Sequence, residues 1–300
     1  MLYIAYAPIY CHPLPEGHRF PMQKYELIPE QLLYEGSIVA DNLFAPAAIA
    51  ADLVIGTHTE NYWNKLLTND LDAQHIRRIG FPLTPQLIER ERIISTGTID
   101  CARYALQYGV AMNVAGGTHH AFADRGEGFC LLNDIAIAAN YLLNNGLSKQ
   151  IVVIDLDVHQ GNGTAAIFRD EPRVYTFSMH GERNFPFHKE QSDWDIGLPD
   201  GITDAPYLAL LTDALNKIMD TVQPDFVFYL SGVDVLSTDK LGKLGLSRAA
   251  CKTRDKLVFE QCKRHKIPVS VSMGGGYSER LVDIVEAHAN TFRVAQELYF

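Results

Sequence analysis

Ile151-Val152-Val153-Ile154-Asp155-Leu156-Asp157-Val158-His159-Gln160-Gly161-Asn162-Gly163 decides how this chain is read. Its first four residues are continuously apolar and β-branched, the pattern of a strand buried on both faces of a parallel sheet. The polar residues that follow sit where open parallel sheets bind ligands, just outside the carboxyl ends of the strands. Phe226-Val227-Phe228-Tyr229-Leu230 repeats the apolar run and also ends on chemistry, Ser231-Gly232-Val233-Asp234. Outward from these two segments, strands are predicted over residues 2–6, 111–115, 151–155, 173–178, 225–231 and 267–272. Helical periodicity fills residues 85–108, 133–143, 205–222, 247–265 and 279–298. Strand and helix in alternation imply right-handed crossovers and an α/β architecture. No repeat, low-complexity tract or linker divides the chain, so residues 1–300 read as one domain. Residues 13–21 and 181–201 are rich in Pro, Gly and charge and read as long loops that shape a site.

Composition narrows the function classes. With 47% apolar and 21% charged residues the chain is of globular type, and at 300 residues it buries enough surface to need no structural metal or disulfide. A metal here would serve chemistry. The 36 acidic against 26 basic residues give a net charge of −10, without a Lys/Arg block to follow a phosphate backbone, which argues against direct nucleic-acid binding. Cys11, Cys101, Cys130, Cys251 and Cys262 form no CxxC pattern and read as reduced thiols. The opening MLYIAYAPIY lacks the charged flank and apolar length of a signal peptide, and no stretch of eighteen apolar residues occurs, so the expectation is a soluble, cytoplasmic chain without membrane contact or a regulatory tail.

Four strand ends carry reactive residues: Gly116-Gly117-Thr118-His119-His120, the Asp155 to Gly163 segment, Gly232-Val233-Asp234, and Met273-Gly274-Gly275-Gly276-Tyr277. Asp155, Asp157 and His159 alternate, so they face one way in extended chain, but the outer two then lie about 13 Å apart and do not share one ion without a turn. Asp157 and His159 are the better ligand pair, with Asp155 in a supporting place on the strand and Asp234 as the third ligand from another strand end. One His with two carboxylates leaves a coordination position open, the arrangement of a catalytic zinc site; these oxygen-rich ligands also suit Fe²⁺ or Mn²⁺. An isolated Asp at a strand end is more commonly a cap or turn former, and it is the cluster that favours metal. His119 and His120 are candidate general base and acid, since imidazole titrates near neutrality, with Asp155 and Asn162 available as their orienting partners. Gly274-Gly275-Gly276 between strand and helix could cradle phosphate, but no Lys, Ser or Thr follows in Walker order; Tyr277 reads instead as a phenol donor to a carbonyl oxygen. Gly161-x-Gly163-x-x-Ala166 imitates a dinucleotide fingerprint, yet Leu156 to Gly161 separate it from the strand.

Gly116 to His120, Gly128-Phe129-Cys130 with Asn133-Asp134, Asp155 to Gly163, Gly232-Val233-Asp234 with Leu241-Gly242, and Gly274 to Tyr277 together resemble the zinc-dependent histone deacetylase superfamily, which includes acetylpolyamine and acetoin-utilisation amidohydrolases. Gly17-His18-Arg19-Phe20-Pro21 and Asn162 look more like its class IV and related bacterial branch. The resemblance implies the arginase/deacetylase fold, a three-layer α/β sandwich around an eight-stranded, mainly parallel sheet. It implies zinc on Asp157, His159 and Asp234, oxyanion stabilisation by Tyr277, and proton transfer by His119 and His120 with Asp155 paired to His119. Phe129 and Phe185 would line a channel for a lysyl or alkylamine stem. A structural potassium ion would sit at Asp155, Asp157, His159, Ser178 and Met179. Class I members carry Asp at the position of Asn162, so a lower pKa is expected for His120 here. Polyamine-selective relatives carry an acidic gatekeeper where this chain has Leu241, which tilts the substrate from acetylpolyamines towards acyl-lysine. The expected activity is metal-dependent hydrolysis of an acyl-lysine protein or another acylated amine. A two-manganese ureohydrolase and a non-catalytic acyl-lysine binding module are the rival readings.

Overall fold

In the computed structural model, which describes residues 1–300, the two apolar runs lie side by side at the centre of one sheet. Its strands are β1 (Tyr3–Ala5), β2 (Leu43–Phe44), β3 (Val110–Asn113), β4 (Ile151–Asp155), β5 (Val174–Gly181), β6 (Trp194–Leu198), β7 (Phe226–Ser231) and β8 (Val269–Met273). They are ordered β2-β1-β3-β8-β7-β4-β5-β6, and every neighbouring pair is parallel, so the sheet is wholly rather than mainly parallel. Every residue of β3, β4, β7 and β8 is buried, which is why these strands show no alternation.

The helices are α1 (Lys24–Tyr34), α2 (Ala51–Ile55), α3 (Glu60–Leu67), α4 (Ala73–Ile79), α5 (Pro85–Tyr108), α6 (Asp134–Asn144), α7 (Asn162–Phe168), α8 (Asp204–Val222), α9 (Arg248–His265) and α10 (Leu281–Tyr299). They form two packed groups, one of α5, α6 and α7 and one of α1, α10, α9 and α8, which sandwich the sheet. A single cluster of 83 buried apolar residues runs through both layers, so there is one core. Helix starts follow local chemistry. Thr84 caps α5 by accepting from the Leu87 amide, with Pro85 in the first turn, and the Ser247 hydroxyl accepts from Ala250 at the start of α9. No helix is long and apolar enough to cross a membrane.

All six expected strands and five expected helices are present, with ends displaced by a few residues. Two strands depart from expectation. β2 has only two residues, too few for any pattern, and β6 falls within residues 181–201, which were expected to be loop. β6 is an edge strand with four of its five residues partly or fully exposed, so it lacks the apolar run that marks the central strands. Helices α1 to α4 and α7 were also not anticipated; α1 has eleven residues and carries Pro29 inside it, and α2, α3, α4 and α7 span only five, eight, seven and seven residues, too short for a clear period.

Candidate active site

The carboxyl ends of β4, β7 and β8 converge. Asp157 and His159 follow β4, Asp234 follows β7, and the ligating atoms of all three lie within 4.8 Å of one another in a buried position. The His159 Nδ1 is 3.0 Å from Asp157 Oδ1 and 3.2 Å from Asp234 Oδ2. Backbone amides hold the outer oxygens: Gly275 donates to Asp157 Oδ2 at 2.6 Å and Val158 donates to Asp234 Oδ1 at 2.9 Å. The inner Asp234 Oδ2 is fully buried and makes no hydrogen bond. Burial works against a charged His159, yet its interactions with Asp157 and Asp234 outweigh it and lift its pKa to about 10. Two buried carboxylates therefore demand positive charge at this point, and an orphaned acceptor aimed at it fits a divalent cation. Gly232 and Gly275 make the geometry possible. A Cβ on Gly232 would collide with the Asp157 carboxylate, and one on Gly275 with that of Asp234.

Sequence reasoning did not find the supports behind these ligands. Arg254 on α9 is fully buried and donates to the main-chain oxygens of Leu156 and Gly232, the residues flanking Asp157 and preceding Val233-Asp234. Its charge is met by Asp255 at 2.8 Å, whose carboxylate also accepts from the Tyr229 and Thr291 hydroxyls. On the other flank, Asp134 fixes the turn that presents the histidines: its Oδ1 accepts from the Thr118 amide at 2.9 Å and hydroxyl at 2.7 Å, and its Oδ2 from Thr98 and Ser272. Asn133 caps α6 through Ala136 and ties it to Ala121 and Thr164. A buried Arg-Asp pair within a helix leaves no periodicity to read, so only the carboxylate of the quoted Asn133-Asp134 pair had a sequence signal.

His119 and His120 stand beside the cluster with ring centroids 4.1 Å apart. Each has the expected partner: His119 Nδ1 lies 2.6 Å from Asp155 Oδ2, and His120 Nδ1 lies 2.6 Å from Asn162 Oδ1. The two environments push the imidazoles apart. For His119, burial is outweighed by the charge and hydrogen bond of Asp155, and its pKa rises. For His120, burial and the neighbouring imidazoles of His119 and His159 hold the pKa well below the ordinary range, against a small upward pull from the Asn162 contact. Burial and the charges of Asp234 and Asp157 hold the Tyr277 phenol well above its ordinary value, so it stays a proton donor.

A hollow of about 40 Å³ lies over His119, His120, Asp157, His159, Asp234 and Tyr277. It shares His120, Phe129, His159 and Tyr277 with an outer cleft of about 460 Å³ that Phe185 and Leu241 also line. All three expected channel residues thus reach the cleft. The Phe185 ring is 5.0 Å from that of His120, although Phe185 comes from the long segment after β5. Phe129 is held at φ 67 by the hydrogen bond of its amide to Ile79 O at 2.7 Å. Phe20 was quoted only for its resemblance, yet its ring packs 5.2 Å from Phe129 and 5.9 Å from Tyr277. Asp239 was not anticipated either; it accepts from the amides of Leu241, Gly242 and Tyr277, joining the two loops that carry the cleft wall and the phenol. Of the residues expected to hold potassium, Ser178 pairs with Asp155 across β4 and β5, with Met179 next to it, and the Ser178 hydroxyl bonds His180 Nδ1. The one group of three or more acidic, His or Cys ligands that closes around a point is Asp157, His159 and Asp234.

An open, wholly parallel sheet with histidine and carboxylate chemistry at its carboxyl edge places the chain in the arginase/deacetylase superfamily. The family described as "Histone deacetylase domain" matches residues 18–292, and the chain belongs to it, as a hydrolase of the deacetylase class. An uncharacterized protein of Picosynechococcus sp. is 42% identical over 296 residues, covering 99% of each chain. Human histone deacetylase 1 is 36% identical over 290 residues, covering 89% of this chain and 59% of its own length. Among solved structures, a histone deacetylase homologue complexed with SAHA aligns with a TM-score of 0.85 at 24% identity, covering 99% of this chain and 84% of that one. A homologue from Aquifex aeolicus aligns at 0.84 and 24% identity, covering 97% and 82%. Both likenesses are of fold.

Proposed function

We propose that the chain is a zinc-dependent deacylase that hydrolyses the amide of an acylated lysine side chain. The observation that carries this reading is the meeting, at the foot of a narrow cleft, of the Asp157, His159 and Asp234 cluster with two partnered histidines and the half-buried phenol of Tyr277. Asp157, His159 and Asp234 would hold the ion, Zn²⁺ or Fe²⁺, which when bound supplies Lewis-acid polarisation of the acyl carbonyl and a water acidic enough to attack near neutrality. The chain's own groups do the rest. His120, kept neutral by burial and the neighbouring imidazoles and oriented by Asn162, is suited to take the proton of the attacking water. His119, whose imidazolium Asp155 favours, is suited to give one to the leaving amine. The Tyr277 hydroxyl donates to the carbonyl oxygen as it gains charge. Phe129 and Phe185 pass the alkyl stem, and the five free thiols fit the reducing cytoplasm.

An acylated small amine is the second reading, and Leu241 on the cleft wall in place of an acid disfavours polyamines. The deciding experiment presents acetyl-lysine, long-chain acyl-lysine and acetylpolyamine substrates to the metal-loaded protein, with and without chelator. Release of free acid from a lysine substrate, lost on chelation and restored by Zn²⁺, is the expected result. Turnover of polyamines alone, or turnover indifferent to chelator, overturns the reading.

A further inference from the structure

The charge of the cleft mouth is opposite to that of the chain. The protein as a whole carries −10, but the outer cleft is lined by Arg19, Arg78, Arg183 and Lys243 against a single acid, Glu127. The four cations come from four separate places: the loop before α1, the last turn of α4, the turn after β5 and the loop after β7. All four are exposed. Arg19, Arg78 and Lys243 make no salt bridge, and Arg183 has only a loose one, 3.9 Å to Asp200. Arg19 lies flat against the channel, its guanidinium carbon 4.9 Å from the centre of the Phe129 ring, and Lys243 Nζ bonds the main-chain oxygen of Arg183 at 3.2 Å, which holds two of the cations together. Arg78 taken singly is a helix-end cation of the ordinary kind, since positive charge is favoured in a last turn. Four of them around one opening, in a chain with a surplus of acids, are not explained that way.

Resting on the deacylase reading above, we propose that this mouth selects acyl-lysines flanked by acidic side chains, so that the natural substrate is an acidic protein segment rather than a basic tail or a polyamine. The acylated side chain itself is neutral, so its neighbours bring the charge that the mouth senses. Aspartate or glutamate on either side of the lysine would meet the cations as the stem enters between Phe129 and Phe185, whereas each lysine, arginine or ammonium would be repelled. Selection of this kind works through encounter and positioning, and it weakens as salt screens the rim.

The test uses three peptides of equal length around one acetyl-lysine, flanked by Asp and Glu, by Ser and Gly, or by Lys and Arg, with the metal-loaded full chain. At low ionic strength kcat/KM for the acidic peptide is expected to exceed that for the basic one by about tenfold or more, with the neutral peptide between them. The difference should lie in KM and shrink at high salt. The double variant Arg78→Gln/Lys243→Gln should narrow the gap. Equal rates for the three peptides, or a preference for the basic one, overturns the proposal. Fluorescence anisotropy on labelled forms of the same peptides separates it from the deacylase reading. If no peptide is hydrolysed but the acidic one binds preferentially, the reaction assignment fails and the rim selectivity stands. Binding without charge preference overturns the selectivity.

Discussion

The floor and the mouth of the cleft are built on different principles. At the floor, Asp157, His159 and Asp234 issue directly from β4 and β7, their outer oxygens are held by main-chain amides, and Arg254 grips the same backbone from behind. At the mouth, exposed cations on four separate segments surround an opening walled by Phe129 and Phe185, and hardly any of them has a fixed partner. The floor is negative, buried and cross-linked by hydrogen bonds, an arrangement suited to binding a cation and holding groups in place. The mouth is positive and exposed, and the selection proposed for it tolerates mobility.

The sharpest contrast between the two regions is in stability. Replacing Arg254 with Met leaves Asp255 as an unpaired buried charge, and loss of one partner of such a pair costs about 3–5 kcal/mol. Arg78→Gln at the mouth touches nothing that packs and should stay within about 0.5 kcal/mol of the parent. Denaturant melts of the two variants measure this difference. Similar midpoints would mean that Arg254 is no keystone of the floor.

Tyr277 belongs to the floor by chemistry but to the cleft wall by position. Tyr277→Phe keeps the ring among Phe20 and Phe129 and removes only the donor. Turnover is expected to fall by about 10²–10³, or roughly 2.7–4 kcal/mol of barrier, with the denaturation midpoint unchanged. A matching loss of stability would assign Tyr277 to packing instead. Metal supplies the next effect. With Zn²⁺ at about a hundred times its dissociation constant, the folded state should gain about 2.7 kcal/mol. Asp234→Asn should abolish that gain, and a metal-dependent rise in melting temperature that survives in the variant would remove Asp234 from the ligand set.

How much of this was legible in sequence follows the same divide. A strand buried on both faces is written in consecutive residues, so β4 and β7 could be read directly, and the Asp157, His159 and Asp234 cluster that continues their paths came with them. The partners of His119 and His120 were legible because Asp155 and Asn162 lie in the same quoted segment. β6 was hidden because an edge strand with exposed residues has neither an apolar run nor a clean alternation. Arg254 was hidden because its contacts, to Leu156 and Gly232, lie 98 and 22 residues away and rest on main-chain oxygens that every residue possesses. Arg19, Arg78, Arg183 and Lys243 are ordinary surface cations in sequence, and only the fold gathers them at one opening, where they oppose the chain's own net charge.

The smallest expected effect probes how the floor sets the working pH. Asn162 offers His120 a neutral acceptor, and burial together with the imidazoles of His119 and His159 keeps the His120 pKa low. Asn162→Asp places a carboxylate at the same 2.6 Å contact, and an opposite charge at that range raises an imidazole pKa. A raised pKa keeps His120 protonated up to a higher pH. If His120 must be neutral to take the water's proton, the acid limb of the kcat/KM profile moves to higher pH, and activity above it is retained. The variant should therefore lose activity at mildly acidic pH and recover it towards alkaline pH. Because His120 Nδ1 is taken by Asn162 and its pKa is set by burial and the neighbouring imidazoles, the Arg78→Gln/Lys243→Gln variant should leave the limb where it is, and a shift there instead would mean that the cations of the mouth also act on the titration of the floor.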